Sequence, residues 1–251
     1  MKKLHLLSIG VALMLPALSQ AANSVGIIGS PHDFSTNSWA LQHSSHLVCE
    51  VCHSIHHTDT NSPQTAPLWA HATTATTFIP YSSSLLKATV GQPSGVSLAC
   101  LSCHDGTVGI NQPSSGAAYG GTAIPIAASF IIPDNVNDMH ATHPVSFTYD
   151  AALATAAGDL ENPTTYHIGD NKSLLTYNSP PVPAAWPVPA TSMAGQTIDQ
   201  AMLRNHKVEC ASCHDVHKMR GMAPASGILT VLTGDDANGK GSLLCRTCHI
   251  K

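Results

Sequence analysis

The pentapeptide CEVCH, residues 49–53, is the first of four copies of one pattern in this chain of 251 residues. The other copies are CLSCH at 100–104, CASCH at 210–214 and CRTCH at 245–249. Together they contain all eight cysteines, and a histidine follows every pair. Because histidine makes up 16 of the 251 residues, chance would place one behind all four pairs with a probability on the order of 10⁻⁵. The pattern therefore reflects a chemical requirement that the four places share.

Four kinds of site use paired cysteines, and the trailing histidine distinguishes among them. Disulfides within CxxC pairs close very small loops and remove little entropy from the unfolded chain, so four of them would make a poor scaffold. Redox dithiols and tetrathiolate zinc sites use the same spacing but do not need the histidine. In covalent haem attachment, each thiol bonds one vinyl group and the histidine becomes an axial ligand of the iron. The pattern predicts four haem c groups, with zinc sites and redox dithiols as the alternatives.

The attachment residues follow directly from the pattern. The predicted thioether positions are Cys49, Cys52, Cys100, Cys103, Cys210, Cys213, Cys245 and Cys248. The predicted proximal iron ligands are His53, His104, His214 and His249. The histidines that remain outnumber the distal positions, so we expect every iron to be six-coordinate, ligated by two histidines and of low reduction potential.

Four further histidines are the candidates for the distal positions. His56 and His217 lie three residues after a proximal histidine, in CHSIH and CHDVH, from where each can reach a neighbouring haem. His143 precedes Pro144, which holds the backbone extended and presents the imidazole on a stiff support. His71 lies in PLWAH, where no other use for a histidine is evident. The reserve candidates are His32, His43, His46 and His206. The histidines expected at the surface are His57, His140 and His167.

The composition indicates that side chains alone do not fill the interior. Aromatic residues are 5% of the chain and charged residues 10%, whereas about 25% charged residues is typical of a soluble domain. We therefore expect one multihaem domain, residues 22–251, made mostly of coil with a few short helices around a core of four covalently bound haems. Helices are predicted at 198–213 and 242–249, and a loop at 111–133. Residues 178–190 are predicted to be an extended proline-rich strap, or else a linker between two lobes. Methionines are expected in packing roles.

The first residues have the features of a removable leader. Two lysines precede an apolar run at 4–18, which is too short to span a bilayer, and SQA at 19–21 supplies small residues for cleavage. Residues 1–21 are therefore predicted to be a signal peptide of an exported protein that does not cross the membrane. The 15 acidic residues exceed the 11 basic ones, which argues against a nucleic-acid partner.

Several motifs, taken in their order along the chain, resemble one family. They are PLWAH at 67–71, SLACLSCHDGTVGIN at 97–111, THPVSFTYD at 142–150, CASCHDVHKMR at 210–220 and SLLCRTCH at 242–249. This series resembles the small tetrahaem outer-surface cytochromes of metal-reducing bacteria, of the OmcE type, over nearly the whole chain from about residue 30. The chain departs from the family pattern at Ile55 and Val216, where proline is usual, and at Ala70, where asparagine often stands.

The resemblance implies a function and a mode of assembly. Members of this family polymerise into extracellular filaments whose closely spaced haems conduct electrons. The resemblance therefore implies an electron carrier and not an enzyme, with partner cytochromes and external acceptors such as metal oxides. It also gives His56 the role of a distal ligand donated to the next subunit. The expected location is extracellular or at the outer cell surface, with the periplasm as the alternative. A monomeric periplasmic shuttle and a multihaem reductase with an open iron site are the alternative functions.

Overall fold

The computed structural model describes the chain in eight stretches that include all four copies of the pentapeptide. These are residues 27–28, 30–41, 48–53, 68–133, 137–168, 195–214, 216–218 and 243–250. The predicted leader, the proline-rich strap at 178–190 and the side chains of His43, His46, His56 and His57 lie outside the described residues. Most of the described backbone is coil and turn. In these stretches no helix has the length and apolar character that crossing a membrane requires.

The regular elements are short. The described α-helices are α1 (Ser38–Leu41), α2 (Gly95–His104), α3 (Ala151–Ala157), α4 (Ile198–Met202), α5 (Cys210–Cys213) and α6 (Leu243–Cys248). The strands β1 (Phe147–Thr148) and β2 (Lys207–Val208) pair in an antiparallel sheet. Two 3₁₀ turns cover Ala128–Phe130 and Val216–Lys218. The helix predicted at 242–249 is confirmed by α6.

The helical structure predicted at 198–213 is confirmed at both ends of this stretch, as α4 and α5, but not between them, where the structure has β2. After α4 the chain turns through Asn205 and His206, whose φ angles of 52° and 60° lie in the left-handed region. Such a turn cannot continue a right-handed helix. The residues that follow pair with β1, and Phe147 lies opposite Val208. Pairing with a distant strand therefore outweighs the helical pattern of the local sequence.

The loop predicted at 111–133 is confirmed, since its one regular element among these residues is the turn Ala128–Phe130. The side chain of Asn111, 1% exposed, holds this loop together. Its Nδ2 donates to the carbonyl oxygens of Tyr119 and Thr122, at 2.5 and 2.9 Å. Its Oδ1 accepts from the backbone N–H of Ile124 at 2.9 Å. One buried amide thus supplies the hydrogen bonds that regular structure would otherwise provide.

The largest apolar cluster lies around β1, β2, α3 and α4. Its buried members are Phe147, Tyr149, Ala154, Tyr166, Ile168, Ile198, Met202, Leu203 and Val208. Both helices are held by caps: the Asp150 carboxylate accepts from the N–H of Leu153, and Thr197 and Gln200 form a capping box. The packing role expected for methionines is confirmed for Met202 here and for Met139 in a second, smaller cluster.

Candidate haem centre

The four copies of the pentapeptide fold into the same kind of turn. The second copy forms the C-terminal half of α2, the third begins α5 and the fourth ends α6. In the first, third and fourth copies, the backbone N–H of the histidine donates to the carbonyl oxygen of the first cysteine at 2.9 Å. The pairs are His53–Cys49, His214–Cys210 and His249–Cys245. A helical turn places residues three apart on one side of the backbone. Each copy can therefore present both thiols and the histidine to one group.

None of the eight cysteines is in a disulfide; Cys49 and Cys245 are exposed, and the other six are half-buried. Burial raises the pKa of Cys52 and Cys213 to about 11 and that of Cys103 to about 12. The Cys100 thiol hydrogen-bonds with the Cys210 thiol, and this contact together with burial raises the pKa of Cys100. Before haem attachment these thiols would therefore be protonated at neutral pH.

The thiols of consecutive copies are neighbours. Cys52 of the first copy contributes to the raised pKa of Cys100 and Cys103 in the second. Cys100 contacts Cys210 of the third, and Cys245 of the fourth contributes to the raised pKa of Cys213. These thiol neighbours link the copies in a series from the first to the fourth, while His53 of the first copy also lies beside His217, which follows the third.

Three of the proximal histidines each lie beside another histidine ring. The ring pairs, with their centroid distances, are His53 and His217 at 6.2 Å, His104 and His32 at 6.1 Å, and His249 and His143 at 6.4 Å. Two imidazoles that bind one metal ion from opposite sides would have centroids roughly 6 Å apart, since each metal–nitrogen bond is about 2 Å and each centroid lies about 1 Å behind its nitrogen. The interplanar angles differ because rotation about such an axis is free. The spacing of all three pairs fits an axial ligand pair.

Backbone carbonyls orient two of these rings. The Nδ1 of His104 lies 2.8 Å from the carbonyl oxygen of Phe130, and the Nδ1 of His143 lies 2.8 Å from that of Pro144. Because a carbonyl oxygen can only accept, Nδ1 carries the proton in both rings and Nε2 is the basic nitrogen. This tautomer is the one that binds a metal through Nε2 while the second nitrogen fixes the ring.

His71, predicted as a distal ligand, lies in the interior beside the second copy. Its exposed fraction is 1%, and burial lowers its pKa, so the ring is neutral at pH 7. Its Nδ1 lies 2.8 Å from the carbonyl oxygen of Ala72, and its Nε2 lies 3.0 Å from that of Gly109. The Sγ of Cys103 is 3.6 Å from the same Nε2. A neutral imidazole has only one N–H, so only one of its nitrogens can donate a hydrogen bond to a carbonyl oxygen. The other nitrogen has no proton and cannot hydrogen-bond with the carbonyl that it faces.

The structure also separates the reserve and surface histidines. His32, a reserve candidate, is mostly buried; burial first, and then nearby His104, lower its pKa to about 4. His206 is exposed, and its Nδ1 lies 2.8 Å from the carboxylate of Asp199. The surface positions predicted for His140 and His167 are confirmed. Sequence reasoning ranked His32 below the other candidates because no motif surrounds it. The signal that distinguishes it is its contact with His104, which only the fold supplies.

The described residues provide pairs of ligands and no larger set. Within the eight described stretches, no group of three or more His, Cys, Asp or Glu side chains is arranged to hold a metal ion by itself. A haem iron takes its equatorial ligands from the macrocycle, so the protein supplies only the axial pair. The paired thiols, which could anchor a macrocycle, and the paired imidazoles, which could bind its iron, therefore fit a haem. The chain matches no known protein-family model and no curated protein sequence.

Proposed function

We propose that this chain is a tetrahaem c-type cytochrome that transfers electrons, with one haem bonded to each CxxCH copy. The observation that carries the proposal is the pairing of proximal histidines with other histidine rings at 6.1, 6.2 and 6.4 Å. The same distance occurs at three separate copies, whose sequences share only the cysteines and the histidine. Ordinary aromatic pairs have similar spacing, such as Phe34 with Trp39 at 5.9 Å, so what supports the proposal is that the neighbouring ring at each of these copies is a second imidazole.

The residues that would hold the haems have separate tasks. The paired cysteines of each copy would anchor the macrocycle, and the following histidine would bind the iron. The geometry favours His217 as the distal ligand at the first copy and His143 at the fourth. His71 and His56 remain distal candidates for an iron whose partner is not among these pairs. When bound, haem iron takes up and releases one electron by changing between the ferrous and ferric states.

The protein side chains would occupy both axial positions of each iron and hold the imidazole rings in fixed orientations. Two imidazoles on one iron leave no position for a substrate, which favours electron transfer over bond-making chemistry. The Phe130 and Pro144 carbonyls accept the Nδ1 protons of His104 and His143, which fixes the ring rotation and makes each Nε2 a stronger donor. The neighbouring thiols of consecutive copies support transfer between adjacent haems along the series.

Carbon monoxide titration separates the electron carrier from a multihaem reductase. We expect the reduced, haem-loaded protein in its assembled form to bind no carbon monoxide, because every axial position is then taken. Stoichiometric binding at one haem would instead indicate an open iron and favour the reductase. Absorption spectra before and after addition of the gas measure this directly.

We further propose that the chain is a subunit of an extracellular filament that conducts electrons to external acceptors, with His56 donated to the next subunit. The resemblance to filament-forming cytochromes supports this assembly. Cys49 of the first copy and Cys245 of the fourth are exposed, whereas the thiols of the second and third are half-buried. Both ends of the series are thus accessible to a partner. A monomeric periplasmic shuttle is the second candidate, because accessible end haems would serve a diffusing carrier equally well.

Electron microscopy of the haem-stained extracellular fraction tests the assembly. We expect filaments of uniform width from the native chain and none from His56→Ala, whose covalent haem content should be unchanged. His140→Ala is the matched control, because His140 is an exposed histidine engaged with Asp138. Normal filaments from His56→Ala would contradict the interface role, and discrete particles from the native chain would favour the shuttle.

A further inference from the structure

The N-terminal segment 30–41 is fixed on the loop that follows α2. Trp39 is 6% exposed, and its ring lies nearly parallel to that of Tyr119, with centroids 6.4 Å apart. Phe34 contacts Trp39 at a centroid distance of 5.9 Å. At Gly120, whose φ is 77°, an added Cβ would lie 3.5 Å from the Cβ of Trp39, so the loop backbone runs close to the base of this side chain. Aromatic packing therefore fixes this segment independently of any histidine.

This segment holds the ring of His32 against that of His104. The centroids are 6.1 Å apart, and Phe34 packs edge-on against His32 at 6.4 Å. The backbone N–H of His32 donates to the Ser30 hydroxyl at 3.2 Å, which fixes the start of the side chain. The Nδ1 of His32 is buried and has no hydrogen-bond partner. Buried polar atoms are rarely left unpaired in folded proteins, so an unpaired imidazole nitrogen points to a ligand or a water molecule at this place.

The ring of His104, which faces His32, is oriented to bind the same metal ion. The Nδ1 of His104 donates to the Phe130 carbonyl, and the N–H of Ile132 donates to the His104 carbonyl at 2.5 Å. Both the ring and the backbone of His104 are thus tied to the segment around the turn Ala128–Phe130. Its Nε2 is the nitrogen that remains to bind a metal.

We propose that His32 is the distal iron ligand of the haem at the second copy, opposite His104. The inference rests on the proposed haem-binding function and assigns one ligand within it. His71 is the other histidine near this copy, but its Nε2 faces the Gly109 carbonyl and lies 3.6 Å from the Cys103 sulfur. To ligate this iron, His71 would have to turn away from both contacts. The N-terminal segment therefore completes the second haem site and leaves His71 for another iron.

Replacement of His32 in the full haem-loaded protein tests this assignment. In His32→Ala, we expect covalent haem content equal to that of the native protein, with one haem in four changed from low spin to high spin. That haem should bind carbon monoxide, and added imidazole should restore the low-spin spectrum. The control is His206→Ala, which removes an exposed reserve histidine paired with Asp199 and should leave every haem low spin. Electron paramagnetic resonance and absorption spectra give both readings.

A second variant keeps the test decisive if His32→Ala is not produced. In His32→Met, we expect the reduction potential of one haem to rise, because a methionine ligand favours the ferrous iron. The assignment is overturned if all haems stay low spin in His32→Ala, if the potentials are unchanged in His32→Met, or if His206→Ala shows the same conversion. A native protein without covalent haem would instead refute the proposed function itself, so the two failures are distinguishable by haem content.

Discussion

Two regions of the molecule differ in the side chains that they bury. One lies around β1, β2, α3 and α4, and the other lies around the second CxxCH copy, at residues 68–133. The first contains nine buried apolar side chains in one cluster, including Ile198, which is fully buried. In the second, the buried side chains include many polar ones: His71, Thr74, Ser97, Ser102, Asp105 and Asn111. The apolar cluster nearest to it has three members, Phe78, Leu101 and Met139. We call these the apolar region and the motif region.

The difference indicates which part of the molecule would depend most on the proposed haems. An apolar cluster of nine side chains is a conventional source of folding energy, since burial of apolar surface drives folding. The motif region instead relies on specific hydrogen bonds, such as those of the Asp105 carboxylate with the hydroxyls of Thr74, Thr76 and Thr107. Hydrogen bonds of this kind contribute little net free energy each. We infer that large apolar macrocycles supply the missing interior of the motif region.

Among the changes that test this comparison, removal of all four haems should have the largest effect on stability. We expect a chain produced without haem attachment to show no cooperative unfolding transition, because the apolar region alone is small and the motif region would lose its interior. Circular dichroism during a thermal scan measures the transition. A cooperative, native-like transition in the haem-free chain would refute the dependence.

Loss of one haem should affect the two regions unequally. In the double variant Cys100→Ser and Cys103→Ser, we expect three attached haems and faster amide hydrogen exchange in residues 68–133. Exchange at Ile198 and its neighbours in the apolar cluster should change little, because their partners are side chains. The matched control is Cys245→Ser with Cys248→Ser, which should leave residues 68–133 protected. Equal loss of protection in both variants would contradict the division into regions.

A cavity in the apolar region should reduce stability without changing the cofactor. Ile198 is 0% exposed, so Ile198→Ala is expected to lower the free energy of unfolding by about 2 to 5 kcal/mol. Haem content should stay at the native value. Denaturant titration measures the loss, and Leu85→Ala, at a side chain 83% exposed, should change stability by less than about 0.5 kcal/mol. Loss of haem from Ile198→Ala would show that the regions are not separable.

A buried carboxylate joins the two regions and should give the smallest of these effects. Glu209 precedes α5 and is 2% exposed; its Oε2 accepts from the N–H and hydroxyl of Ser97 in α2 and from the Ser146 hydroxyl at 3.0 Å. Glu209→Gln offers an amide in place of one acceptor oxygen and should cost about 1 to 3 kcal/mol. Thermal unfolding measures the cost. Asp159→Asn, at an exposed position, is the control, and equal stability of the two variants would exclude a bridging role.

The local chemistry of the site was predictable from the sequence, whereas the pairing of its parts was not. Covalent attachment requires thiols and a histidine at fixed spacing, so residues such as Cys100 and His104 could be identified from the pattern alone. The partner of His53 is His217, which lies three residues after the third copy, and no local rule links the two. His32 was ranked as a reserve, since the local sequence Pro31-His32-Asp33 gives no sign of the ring it contacts. Its place depends on the packing of Trp39 on Tyr119, which is a tertiary contact.

The strand that interrupts the helical structure predicted at 198–213 has the same origin. The sequence carries helix formers on both sides of Asn205, and only the pairing of Val208 with Phe147 explains the strand between them. Buried polar side chains such as Asn111 and Glu209 were also missed, because their partners come from distant parts of the chain. Short elements with polar interiors follow local propensity poorly, since tertiary contacts decide their conformation.

The most direct test of the account is the intact mass of the mature protein, measured together with its absorption spectrum. We predict a chain that carries four covalently bound haems, with the spectrum of low-spin iron ligated by two histidines. A folded mature protein with eight unmodified thiols, or with zinc bound to them, would contradict the account.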